Sequence, residues 1–146
     1  MKKLLIVSIC LGFILNSYAQ NGKEISASAK TAFAGKFPKA QKVKWSIEKP
    51  GEFEAEFKLS GVSSAVIYDA KGQLIETETE INETSLPQPV LAALAKGFAG
   101  YRINEIEQVI DSKNIVTYEM ESRKGKTVYE LVFLPDGKLL KKEERK

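Results

Sequence analysis

The sequence predicts an α+β fold made of two tandem repeats. Each repeat is a helix followed by four antiparallel strands, with the helices packed on one face of the sheet. Three observations carry this. The apolar period switches from 3.6 to 2 twice, after Phe37 and again after Phe98. Gly, Pro, Asn and Asp interrupt the period-2 segments every eight to twelve residues or so, as hairpin turns do. The two halves also align with each other at a nearly constant offset.

The alignment runs through most of the chain. Lys42 to Glu48 matches Glu105 to Asp111 at an offset of 63, and Ala55-Glu56-Phe57 matches Tyr118-Glu119-Met120 at the same offset. Tyr68 to Leu74 matches Phe133 to Leu139 at 65, whereas Phe33 and Phe37 match Leu94 and Phe98 at 61. So small a drift is what short loop insertions leave behind. The repeats are placed at about 23–83 and 84–146, within a single domain spanning 20–146.

In the first repeat Ile25, Ala29, Ala32, Phe33 and Phe37 form a helical stripe, and Pro38 stops it. Val43, Trp45 and Ile47 then alternate with Lys44 and Ser46, Lys49-Pro50-Gly51 turns the chain, and Phe53, Ala55, Phe57 and Leu59 alternate with Glu54, Glu56 and Lys58. Ser60-Gly61 leads to a strand near Ser64–Tyr68, and Ala70-Lys71-Gly72 to one over Leu74–Ile81. In the second repeat Ser85 is placed as N-cap with Gln88 three residues on, Pro87 in the first turn, Val90, Leu91, Leu94 and Phe98 as the stripe, and Gly100 as the stop. Strands follow near Glu105–Asp111, Ile115–Ser122, Thr127–Leu134 and Lys138–Glu143.

Ahead of this lies a different kind of segment. Met1-Lys2-Lys3 is basic, Leu4 to Leu15 is almost wholly apolar, and Ser17 and Ala19 supply the small residues a signal peptidase reads. Residues 1–19 are therefore read as a secretory signal peptide cut after Ala19. The apolar run is too short to span a bilayer. The mature chain would be periplasmic or secreted, with no stable membrane anchor. Its charge falls from +3 to +1 as Lys2 and Lys3 leave, and Cys10 leaves too. With no Cys and no His, the mature chain lacks the usual ligands of zinc, copper or haem and the common nucleophile and base partners of hydrolases. No metal, cofactor or catalytic residue is assigned, and an enzyme is not expected. Asp69-Ala70-Lys71-Gly72 and Pro135-Asp136-Gly137 read as turns, not calcium loops. Acids at Glu143 and Glu144 break up the C-terminal lysines, which read as a solvated tail, not a nucleic-acid site.

A sheet covered on one side leaves its other side for function. Lys44, Glu54, Glu56, Lys58, Glu76, Glu78, Glu119 and Glu121 are the candidate partner-binding residues, read as solvent-facing. Charge is segregated along the chain: Gln20–Ile47 carries +5, Glu48–Glu83 carries −6, and the rest +2. Glu54, Glu56, Glu76, Glu78 and Glu80 would make an acidic patch if their strands were neighbours, and such a patch speeds association with a basic partner. Trp45 is read as core.

The order of Phe37-Pro38, Val43-Lys44-Trp45, Phe53-Glu54-Ala55-Glu56-Phe57, Tyr68-Asp69 with Gly72, Glu76-Thr77-Glu78, Leu86-Pro87, Tyr118-Glu119-Met120 and Asp136-Gly137 resembles the beta-lactamase-inhibitor-like, PepSY-like domain family of bacterial envelope proteins. The resemblance covers nearly all of residues 20–146. It implies an exported protein whose helix-and-sheet units present one continuous sheet surface, similar to a secreted protein inhibitor of beta-lactamase. The expected function is a non-enzymatic binding module that recognises an envelope protein or peptide through the open sheet face, in an inhibitor-like manner. The alternative is a small-ligand or sensor domain using the groove between the repeats, marked by a cavity lined by Trp45, Tyr68 or Tyr101.

Overall fold

The computed structural model describes residues 24–145, so the leader read over residues 1–19 lies outside the described residues. Helix α1 (Ala27–Lys36) is followed by β1 (Gln41–Lys49), β2 (Glu52–Leu59), β3 (Val62–Asp69) and β4 (Leu74–Glu80). A short 3-10 turn (Glu83–Ser85) leads into α2 (Gln88–Gly97), β5 (Arg102–Asp111), β6 (Val116–Lys124), β7 (Thr127–Phe133) and β8 (Leu139–Arg145). All eight strands form one antiparallel sheet in the order β1 to β8, each paired with the next.

The helices start differently. Ser26 caps α1, its Oγ accepting from the Ala29 amide at 3.3 Å. The cap expected from Ser85 does not form. Ser85 belongs to the 3-10 turn, Leu86 is held extended before Pro87 (φ −67°, ψ 144°), and Pro87 itself takes the N-cap position. A residue preceding proline is biased away from helical geometry, which holds Leu86 extended and keeps the helix from starting at Ser85. Nor is Gly100 the stop of α2. Both helices end on an aromatic residue whose amide reaches back at 2.8 Å, Phe37 to the Phe33 carbonyl and Phe98 to the Leu94 carbonyl.

Both helices cover the same face. α1 buries Ala29 and Phe33 against Phe53, Ala55 and Phe57 of β2 and Val66 and Tyr68 of β3. α2 buries Val90 and Leu94 against Ile106, Tyr118, Met120, Leu131 and Phe133. The register carries that face unbroken across the sheet, from Ala55 through Val66, Thr77 and Ile110 to Val116. Trp45 is half-buried and meets the Phe33 ring edge-on at 5.4 Å, which is the core role read for it. Val43, placed on the apolar face by alternation, is exposed, because the bulge between Gln41 and Lys44 disturbs the register there.

That bulge has a counterpart. Lys42 turns through φ 56° in β1, and Glu105 through φ 44° in β5, where the register also shifts. Bulges sharpen local twist and bend the strand. The C-terminal segment read as a solvated tail is the edge strand β8 up to Arg145. Its Lys142 hydrogen-bonds the Tyr101 hydroxyl at 3.0 Å and lies 4.7 Å from the centre of the Tyr129 ring, which pins the edge to its neighbours.

Candidate functional site

The face opposite the helices carries every residue singled out from the sequence. Rows of side chains cross it by register. One runs Ser46, Glu54, Ile67, Glu76, Asp111, and the next runs Lys44, Glu56, Ala65, Glu78, Val109, Thr117. A third runs from Glu80 through Glu107, Glu119 and Val132 to Lys141, and Glu121 stands opposite Glu130. Lys58 shares the face with Glu54 and Glu56, four and two residues away along β2. The condition set for the acidic patch, that β2 and β4 be neighbours, is not met. β3 lies between them, and because it contributes only Ala65 and Ile67 to these two rows, the carboxylates look across it at one another.

The expectation that these acids face solvent is overturned. Glu54 is 5% exposed, Glu76 9%, Glu78 4% and Glu119 2%; only Lys58 among the eight candidates is as open as Lys44, and Glu56 and Glu121 are half-buried. A lone glutamate on a flat sheet would keep its carboxyl in water. Here neighbouring long side chains stand shoulder to shoulder on a hollowed face, and a depression of about 460 Å³ runs from Lys44 and Glu54 to Glu80 and Glu107.

Burial has the electrostatic consequence that low-dielectric surroundings impose on any carboxyl. Desolvation pushes Glu54 up to about 7; the Ser46 hydroxyl, donating to its Oε2 at 3.0 Å, pulls the other way, while Glu78, Glu48 and Glu56 add to the rise. Glu76 is pushed up to about 8, first by burial and then by the charge of Glu78 and a hydrogen bond with it, with Asp111 and Glu48 contributing. Glu48 is raised by burial and by Glu78.

Across β7 and β8 the same face is ion-paired. Lys141 Nζ lies 3.1 Å from Glu130 Oε1 and 2.9 Å from Glu143 Oε2, and Arg145 reaches Glu121 at 3.6 Å. Glu48, Glu107, Glu130 and Lys141 were missed from the sequence. Period-2 parity could have found Glu130, since Tyr129, Leu131 and Phe133 face the helices and leave it on the other side. Lys141 falls after the register shift between Val132 and Phe133, where counting fails.

The groove between the halves also exists, on the helix face. A hollow of about 420 Å³ is lined by Phe37, Leu74, Ile75, Thr77 and Ile110 among others. Trp45, Tyr68 and Tyr101 do not line it: Tyr68 is buried in the first core, and Tyr101 stacks edge-on with Phe98 at 5.3 Å.

No protein-family model matches the chain, and no curated protein sequence does. Solved structures do. A candidate periplasmic protein from Bacteroides eggerthii superimposes with a TM-score of 0.76 at 18% identity, over 84% of this chain and 90% of that one. A DUF2874 family protein from Bacteroides ovatus gives 0.73 at 24% identity, over 84% and 89%. A BLIP-like protein from Bacteroides fragilis gives 0.67 at 22% identity, over 84% and 88%. Among the described residues no helix is long and apolar enough to cross a membrane. Two helices on one face of an eight-stranded antiparallel meander, superimposable over most of their length on these proteins, give this chain a beta-lactamase-inhibitor-like fold.

Proposed function

We propose that the chain is an exported, non-enzymatic binding module built from two copies of one PepSY-like unit, which receives a basic segment of an envelope protein or peptide on its uncovered sheet face. The observation that carries this reading is the surplus of acid around the hollow on that face, where Glu54, Glu56, Glu78, Glu80, Glu105 and Glu107 outnumber Lys42, Lys44 and Lys58. A face with a surplus of one sign of charge steers and seats the opposite sign. The acids stand on β2, β4 and β5 of a single sheet face and surround one hollow, an arrangement suited to seating a basic segment. The likeness to a candidate periplasmic protein and to a BLIP-like protein supports export and an inhibitor-like mode of action.

The test is titration of the purified protein with a lysine-rich peptide and with its glutamate-rich counterpart, beside a Glu56→Lys, Glu80→Lys variant. These two positions are chosen because they are half-buried and exposed, so reversal there leaves the buried acids in place. The reading expects saturable binding of the lysine-rich peptide alone, weakened by rising salt and lost in the variant. Equal binding of both peptides, or binding untouched by the reversal, would overturn it.

A further inference from the structure

The two hydrophobic cores are separate, one closed by α1 over β2 and β3 and the other by α2 over β6 and β7. Within the sheet, a single strand pair joins them, β4 with β5, running from Glu76 opposite Asp111 to Glu80 opposite Glu107. On the helix side its pairs are Thr77 with Ile110 and Thr79 with Gln108, none of them in either buried core, and the hollow beside Phe37 opens there. On the other side the acid-lined hollow borders it. The seam therefore has a depression on both faces.

On the uncovered face the seam sets acid directly against acid at both ends. Like charges directly opposite in an antiparallel pair disfavour the pairing. We propose that this seam is an acid-closed joint: the proton in the hydrogen bond between Glu76 and Glu78, beside Asp111, keeps the two halves in register, and its loss loosens the β4–β5 pair before any other in the sheet.

The groups that face the seam come from every neighbouring strand. Around Glu76 they are Glu78 on its own strand, Asp111 on β5, Glu54 across Ile67, and Glu48 from β1. Glu80 faces Glu107, which in turn stands opposite Glu119 on β6. The lysines that line this half of the face, Lys42, Lys44 and Lys58, stand on β1 and β2, beyond β3. The hydrogen bond between Glu76 and Glu78 requires a proton on one of them, and burial with the charge of Glu78 holds Glu76 protonated up to about 8. Such a group binds its proton more tightly folded than unfolded. Its contribution is therefore complete below the ordinary carboxyl value of 4.5, declines as pH rises from there, and is gone above about 8.

The experiment is residue-resolved amide hydrogen exchange on the purified protein between pH 6 and 9, each rate corrected for its intrinsic pH dependence. Protection of β4 and β5 amides should fall more than that of the β2–β3 and β6–β7 pairs between pH 6 and about 8, by roughly tenfold per pH unit, and should level off above that, as a group held protonated up to about 8 requires. Glu76→Gln with Glu80→Gln should remove most of that difference, and Asp111→Asn, which leaves burial and Glu78 in place, a smaller part of it. Should protection fall in step at all strand pairs, or should both neutralised variants keep the full pH response at the seam, the proposal is wrong. The wild-type comparison of strand pairs stands even if one variant folds poorly.

Discussion

Gly72 presses against Ser28: a β-carbon at Gly72 would meet the Ser28 carbonyl oxygen at 2.7 Å and its carbon at 3.0 Å, with the backbone of Gly72 at φ +80°. The turn after β3 is thereby seated on the first turn of α1, and the Ser26 hydroxyl adds a bond to the Ala70 carbonyl at 2.8 Å. Gly137 meets the Pro89 carbonyl of α2 in the same way.

Gly72→Ala is accordingly expected to destabilise the fold by about 2–4 kcal/mol, from a left-handed backbone and a clash with main chain that cannot swing aside. Gly51→Ala is the control. It shares the positive φ, at +86°, but has nothing within 4 Å, so it should cost only about 1–2 kcal/mol. Urea denaturation of the three proteins reads the difference directly.

Phe33 is the hub of the first core, with ring centres 5.4 Å from Phe37, 5.4 Å from Trp45 and 5.1 Å from Phe57. Removing it in Phe33→Ala should cost about 3–5 kcal/mol and shift the emission of Trp45 to the red. Phe133→Ala, deep in the other core, should cost a similar amount while leaving the folded-state emission of Trp45 unchanged, because the two clusters share no residue. Tryptophan fluorescence beside far-ultraviolet dichroism during unfolding checks both.

The Ser46 hydroxyl donates to Glu54 Oε2 at 3.0 Å, and its effect is to hold Glu54 down. Ser46→Ala should therefore raise Glu54 further above about 7, which a carboxyl-carbon nuclear magnetic resonance titration resolves residue by residue. The sign for stability follows. A carboxyl raised above its ordinary value of 4.5 binds a proton more tightly when folded, so stability falls as pH climbs from 4.5 through the folded value, and Ser46→Ala extends that fall to higher pH.

The sequence by itself determined the elements and their sides. Alternation at Phe53, Ala55 and Phe57 against Glu54, Glu56 and Lys58 placed one set toward the helices and the other away, because a strand has only two faces and water selects between them. The same rule set Glu119 and Glu121 on the uncovered side of β6. Helix starts were less legible: the Ser85 motif matched a cap, but the stiffness of Leu86-Pro87 overrode it. What only the tertiary structure decided is the state of the acids. Period 2 assigns a side, not a depth, and a glutamate is buried or wet according to strands far away in sequence. Glu54 and Glu76 are 22 residues apart, and they come to share a dry, proton-holding face because β3 brings the bare surface of Ile67 between them and the sheet draws its long side chains together.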